Sequence, residues 1–167
     1  MSLTSTIRAL ISATEETALD LGTRKFPVEV ARAISLATGI GNGQADTIFS
    51  DQRTLGASAA EDLDLAASLI GAFGNTLTFV KLKVLLIYAA AANVNNVRVT
   101  RPATNGVPLF LAASDGIDVR PDGLFLFACK DATGVPVTAG TGDLINIANS
   151  GAGTSVVYDI VIIGTSA

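Results

Sequence analysis

The chain contains no histidine, no tryptophan and a single cysteine, Cys129. An intramolecular disulfide is therefore impossible, and the Ser-His-Asp, Cys-His and histidine-metal arrangements are excluded. Charge is scarce as well: Asp, Glu, Lys and Arg make up 16% of the 167 residues, against the quarter usual in soluble domains. Part of so lightly charged a surface is expected to be covered by partners. Eleven basic residues against fifteen acidic ones give a formal charge of −4 with no basic run, so nucleic acid is not an expected ligand. No apolar run is long either. The longest, Val84 to Ala92, is about half a membrane span, and no membrane association is expected. The opening Met-Ser-Leu-Thr-Ser-Thr has neither the basic start nor the apolar core of a secretory signal, which points to folding in the cytoplasm of the producing cell.

What is present suits one globular domain. Hydrophobic residues amount to 49%, and a chain of this length buries most of its apolar surface without staples. Period-two alternation dominates. Thr76 to Ala89 sets Val80, Leu82, Val84, Leu86 and Tyr88 against Phe79, Lys81, Lys83, Leu85 and Ile87, the pattern of a long strand whose second half is covered on both sides. Ser155 to Gly164 places Val156, Tyr158, Ile160 and Ile162 on one face, with Asp159 its only charge. Shorter strands are expected over residues 61–65, 97–99, 107–112, 124–129, 135–137 and 143–148, and residues 46–55 read as a short strand followed by an exposed turn. Turns rich in Gly, Asn and Pro separate them. A helix over Ser58 to Ile70, with Ser58 and Glu61 as a capping box, is the rival to the strand at 61–65, and residues 66–72 read as a turn or short helical piece.

Residues 4–20 are ambiguous, since Ile7, Ala9, Ile11 and Ala13 alternate while Ile7, Leu10 and Ile11 also suit a short helix. Asp20-Leu21-Gly22-Thr23 reads as a turn, and extended chain is favoured from Phe26 to Leu36, with about two helical turns over Val28 to Leu36 as the alternative. The expected fold is all-β: an antiparallel β-sandwich, jelly-roll-like, over residues 37–167. Residues 1–36 form a less regular N-terminal arm or peripheral strands.

Few residues invite a chemical role. Gly39, Gly41 and Gly43 have the spacing of a phosphate loop, but no Lys-Ser or Lys-Thr follows, so turn geometry is the reading. Glu61, Asp62 and Asp64, with Asp46 or Asp51, supply oxygens for Ca²⁺ but lack the calcium-hand loop; a solvated or salt-bridged strand face is preferred. Arg53, oriented by Asp51, is a partner for this acidic stretch. Lys81 and Lys83 are expected to meet the strand Glu61 to Asp64 across a sheet or subunit boundary. Asp51, Arg53, Glu61, Asp62, Asp64, Lys81 and Lys83 are therefore candidate interface residues. No catalytic, cofactor or metal residue is assigned. Tyr88 and Tyr158 read as core or interface positions, and Cys129 as a buried thiol without a base.

The segments Ala37-Thr38-Gly39-Ile40-Gly41-Asn42-Gly43-Gln44-Ala45-Asp46, Asp51-Gln52-Arg53-Thr54-Leu55, Glu61-Asp62-Leu63-Asp64-Leu65, Phe73-Gly74-Asn75-Thr76-Leu77-Thr78-Phe79 and Tyr158 to Gly164 together resemble a group of small structural proteins of tailed bacteriophages. The resemblance covers most of residues 36–164; residues 4–36 match less distinctly. It implies a non-enzymatic virion component without cofactor, similar to capsid decoration or cement proteins. Such a protein meets the major capsid protein or neighbouring virion proteins through many weak contacts, as a homo-oligomer, trimer or dimer. A tail, neck or fibre component with an adhesin-like sandwich is the first alternative. A carboxylate-dependent hydrolase or calcium-stabilised binding domain is the second.

Overall fold

The computed structural model describes residues 2–167. Two long strands open the chain: β1 (Ser5–Leu19) and β2 (Gly22–Thr38). They pair antiparallel without interruption from Ser5↔Leu36 to Leu19↔Gly22, around the two-residue turn Asp20-Leu21. The helical alternative for residues 4–20 loses because a second segment of matching alternation lies just beyond a turn, and every backbone group of β1 on that edge finds a partner in it. The next strand, β3 (Gln44–Ala45), runs parallel to the end of β2.

A five-stranded antiparallel sheet contains β4 (Thr47–Leu55), β6 (Lys81–Ala89), β9 (Leu124–Ala128), β10 (Val135–Pro136) and β12 (Val156–Thr165). β12 lies between β4 and β6, and the far edge of β6 is shared by β9 and β10. A four-stranded antiparallel sheet has the order β5-β11-β7-β8, with β5 (Ala60–Asp64), β7 (Val97–Thr100), β8 (Gly116–Val119) and β11 (Leu144–Asn149).

These two sheets pack face to face as a β-sandwich. Leu85, Ile87, Val156, Tyr158, Ile160 and Ile162 from one meet Leu63, Val97, Val99, Ile145 and Ile147 from the other in a single buried cluster. The outer face of the five-stranded sheet is covered too. Leu36 and Ala45, with Leu3, Ile7 and Ile34 from the root of the hairpin, pack on Val84, Ile163 and Leu126. β6 and β12 are thus apolar on both faces, as expected for strands buried between layers.

Local differences from the sequence reading have physical causes. β6 begins at Lys81, not at Thr76. Residues 77–80 lie outside any regular strand, with the Leu77, Phe79 and Val80 N–H groups donating to the carbonyls of Leu69, Leu65 and Thr165. The expected separation of Leu82 from Leu85 and Ile87 onto opposite faces is also corrected: all three belong to the central core. The register of β12 against β6 shifts between Ile163↔Val84 and Gly164↔Leu82, leaving Lys83 as the extra residue of a bulge. No strand forms over Val107 to Ala112. Pro108 has no N–H to give a ladder, Leu109 N–H turns back to the Val107 carbonyl at 2.7 Å, and Arg101 Nη1 holds the carbonyls of Phe110 and Leu111. β8 forms instead, where only a turn at Asp115-Gly116 was expected. Residues 65–68 are a turn, and no helix occurs among the described residues.

Candidate interaction surface

Every residue from Arg8 to Ala33 is exposed, so beyond its root the β1–β2 hairpin stands clear of the sandwich. At about 3.4 Å per residue it extends roughly 40 Å. The register assigns its faces. One carries Ala9, Ile11, Ala13, Glu15, Thr17 and Leu19 of β1 opposite Arg32, Val30, Val28, Phe26, Arg24 and Gly22 of β2. The other carries Arg8, Leu10, Ser12, Thr14 and Glu16 opposite Ala33, Ala31, Glu29, Pro27 and Lys25. The first face is an apolar stripe that continues outward from Ile7 and Ile34, the pair already packed on the sandwich. Ile11 and Phe26 are about two-thirds exposed, and Leu21 at the tip is fully exposed.

A two-stranded ribbon is marginal by itself in water, and this one leaves Ile11, Phe26, Val28 and Val30 of a single face exposed to solvent. Reading by residues left this surface open between strand and helix. The signal for it lay in the two similar alternating stretches flanking Asp20-Leu21-Gly22.

The residues singled out from the sequence separate into distinct places. Asp51 and Arg53 lie on β4 at the edge of one sheet, Glu61 on β5 at the edge of the other, and the structure brings them together. Arg53 Nε donates to Asp51 Oδ2 at 3.0 Å, Arg53 Nη1 pairs with Glu61 Oε2, and the buried Tyr158 hydroxyl donates to Glu61 Oε1 at 2.6 Å. Burial opposes the charge of Arg53, but the bond to Asp51 and the field of Glu61 outweigh it and raise its pKa. Burial, and then the bond to Glu61, push the Tyr158 phenol up. The group ties the edges of the two sheets across the mouth of the sandwich.

Asp62 accepts from Asn146 Nδ2 at 2.7 Å, and Asp64 Oδ1 accepts from the Ala66 and Ala67 N–H groups at 2.8 and 3.0 Å, capping the turn after β5. The expectation that Lys81 and Lys83 meet Glu61 to Asp64 is corrected within the chain, because β5 and β6 belong to different sheets. Lys81 Nζ donates to the Ala167 carbonyl at 3.1 Å, and Lys83, fully buried at its bulge, donates to the Asp131 carbonyl.

The remaining motifs serve local structure. In the Gly39–Gly43 loop, Gly41 N–H donates to Gln44 Oε1 at 2.9 Å and Gly43 N–H to the Lys130 carbonyl at 2.8 Å, so those donors are engaged internally. A Cβ on Gly39, whose φ is +138°, would lie 2.5 Å from Gln44 Oε1. Burial, followed by Asp131, pushes the Cys129 thiol up to about 11, which keeps it protonated at neutral pH. Among the described residues no three Asp, Glu or Cys side chains gather as a metal site. A depression at the root of the arm is lined by Leu3, Thr47, Ile48, Phe73 and Leu77, with Ile48 and Phe73 themselves exposed. Comparison of the chain with protein families, with characterised proteins and with solved structures finds no match.

Proposed function

We propose that this chain is a non-enzymatic structural subunit of a tailed-phage virion that decorates or cements the capsid through multivalent protein contacts. One observation carries the assembly part of this reading: a hairpin about 40 Å long with an apolar stripe open to solvent, rooted in a rigid two-sheet body. Beyond its root every residue of the arm is exposed. It extends reach, and repeated over a symmetric lattice it converts modest contacts into high avidity. The virion part rests on the resemblance carried by residues 36–164. The jelly-roll connectivity expected from the sequence belongs to the same proposal.

Imaging of particles carrying the chain tests the reading. A decoration protein occupies the capsid surface in capsid-like copy number, rebinds particles stripped of it, and raises their resistance to heat or osmotic shock. A few copies at one vertex indicate a tail, neck or fibre component instead.

A further inference from the structure

We infer that the free backbone edge of β1 pairs with the same edge of a second copy, antiparallel about a two-fold axis at Ser12, joining two hairpin arms into one four-stranded sheet of order β2-β1-β1-β2. The inference rests on the structural-assembly reading and names the partner of its arm.

The backbone shows which edge is open. Leu19 and Gly22 close the two-residue turn, and residues in that position exchange hydrogen bonds. Bonded and unbonded rows then alternate along the ladder. The odd-numbered residues of β1 therefore bond to β2, and the N–H and C=O groups of the even-numbered residues from Thr6 to Ala18 point to the opposite edge. Among the described residues β1 pairs with no strand but β2. Pro27 agrees with this alternation: it stands opposite Thr14 in an unbroken ladder, so its missing N–H falls on the outer edge of β2. The two edges of the arm thus differ. That of β2 carries Pro27 near its middle, Lys25 beside it and β3 at its root, devices that prevent strand addition. That of β1 has neither proline nor lysine along its 15 residues.

Three features select a second copy as the added strand. The first is register. Ser12 is the middle residue of Ser5–Leu19, so two β1 strands overlap over their whole length only when Ser12 faces Ser12. That register sets even-numbered residues opposite even-numbered ones, as the open backbone groups require, and it places Arg8 opposite Glu16 of the other copy. In its own arm Arg8 has no acidic neighbour: Ala33 stands opposite, and the adjacent rows of that face hold Thr6, Ser35, Leu10 and Ala31. Glu16 takes Lys25 through Oε1, which leaves Oε2 for the arginine of the other copy. No like charges stand opposite each other.

The second feature is closure. Once the β1 edges are joined, both outer edges of the new sheet belong to β2 and carry Pro27, so addition stops at two copies. Two ribbons, each marginal alone, become one four-stranded sheet.

The third is the side on which the apolar stripes fall. A two-fold perpendicular to the sheet keeps both stripes on one side, the side by which the arm root lies on the sandwich. β3 flanks β2 where the Asp46 N–H reaches the Gly164 carbonyl near the end of β12. β1 accordingly borders the remainder of that outer sheet face, where Leu124 is 59% exposed and Leu86 and Tyr88 are half-buried. The tip of the other arm, with Leu19 on its apolar side, comes to lie on this uncovered area and not over Ile7 or Ile34.

Sedimentation equilibrium of the full chain, with two proline variants, tests the inference. The wild type is expected at twice the 17.0 kDa chain mass. Ser12→Pro removes an N–H that points away from β2, at the two-fold itself, and is expected to weaken association at least ~10-fold. Ala31→Pro removes one that points away from β1, on the other edge of the same arm, and is expected to leave the mass unchanged. Neither N–H belongs to the β1–β2 ladder, so damage to the hairpin would show equally in both variants. Arg8→Glu, which sets like charges opposite each other at both ends of the joint, is expected to weaken association at least ~3-fold. Amide hydrogen exchange of the wild type gives a readout free of substitutions: the Leu10 and Thr14 amides slow as concentration rises through the dimer Kd, whereas the Lys25 and Glu29 amides stay fast. A monomeric or trimeric wild type, equal effects of the two proline variants, or fast exchange at Leu10 and Thr14 at high concentration overturns the pairing. A two-fold dimer that fails to appear on any particle leaves the pairing standing and removes the virion reading instead.

Discussion

Lys83 and Lys81 stand two residues apart, and in a regular strand they share a face and an environment. The bulge opposite Gly164 separates them: Lys83 is fully buried with its ammonium on the Asp131 carbonyl, whereas Lys81 reaches the chain end at the surface. The long methylene stem of a lysine fills core space only while its charged end finds an acceptor. Lys83→Glu places a carboxylate where a carbonyl needs a donor, and it is expected to destabilise the protein by about 3 kcal/mol or more. Lys81→Glu is expected to stay within about 0.5 kcal/mol of wild type. Urea unfolding of the two variants checks the contrast, and equal effects would count against the bulge. The sequence displays the type of each residue but not the one-residue slip that decides which lysine is buried. Arg53 with Asp51 and Glu61 is the opposite case: their pairing was legible because complementary charges stood close in a chain with few charges to choose from.

At the scale of elements, alternation was a sound guide wherever a strand is regular. β12, β11 and the outer half of β6 follow their patterns. It failed where backbone geometry overrides side-chain order, as at Pro108 and at residues 76–80. Gly164 shows why. Its position in β12 looks like a strand end, yet a Cβ there would lie 2.1 Å from the Lys81 carbonyl oxygen and 2.8 Å from Phe79 Cδ1. The close crossing of β12 over the start of β6 therefore requires a residue without a side chain. Gly164→Ala is expected to cost about 1–3 kcal/mol through displaced backbone. Gly56→Ala, at a position where a Cβ meets open space, is expected to change stability by no more than about 0.5 kcal/mol. Denaturant midpoints of both variants against wild type read the difference.

For the whole molecule, the absence of histidine shapes the response to pH. Burial raises the Asp46 carboxyl, but bonds from Ser166 and Thr47 outweigh it and hold it below its usual 3.8. Arg98 holds Asp118 down, and the Gly134 N–H holds Asp131 down. A depressed folded pKa contributes stability that is complete above the unfolded value and lost as pH falls through the folded one. Cys129, pushed up to about 11 from 9.0, contributes stability that is complete below 9.0 and lost as pH rises toward the folded value; Tyr158 acts in the same direction. With no side chain of histidine type between these limits, the unfolding free energy is expected to be flat from about pH 5 to about pH 8 and to fall on either side. Urea titrations across pH check the plateau, and Asp46→Asn is expected to reduce the loss below about pH 4.

What the sequence determined by itself is the class of the molecule. Period-two alternation over several segments, turns at short intervals and few helix-favouring stretches leave a layered β-structure as the way to bury these apolar faces. Tertiary structure decided the rest, because register, bulges and sheet membership depend on groups distant in the chain. The Thr165 carbonyl receives the Val80 N–H, Gly164 passes over Lys81, and Tyr158 reaches Glu61. The arm belongs to this second kind. Alternation in residues 5–38 is compatible with a strand inside the sandwich, and only the packing of Ile7, Ile34 and Leu36 on an already filled five-stranded sheet leaves the remainder of the hairpin projecting into solvent.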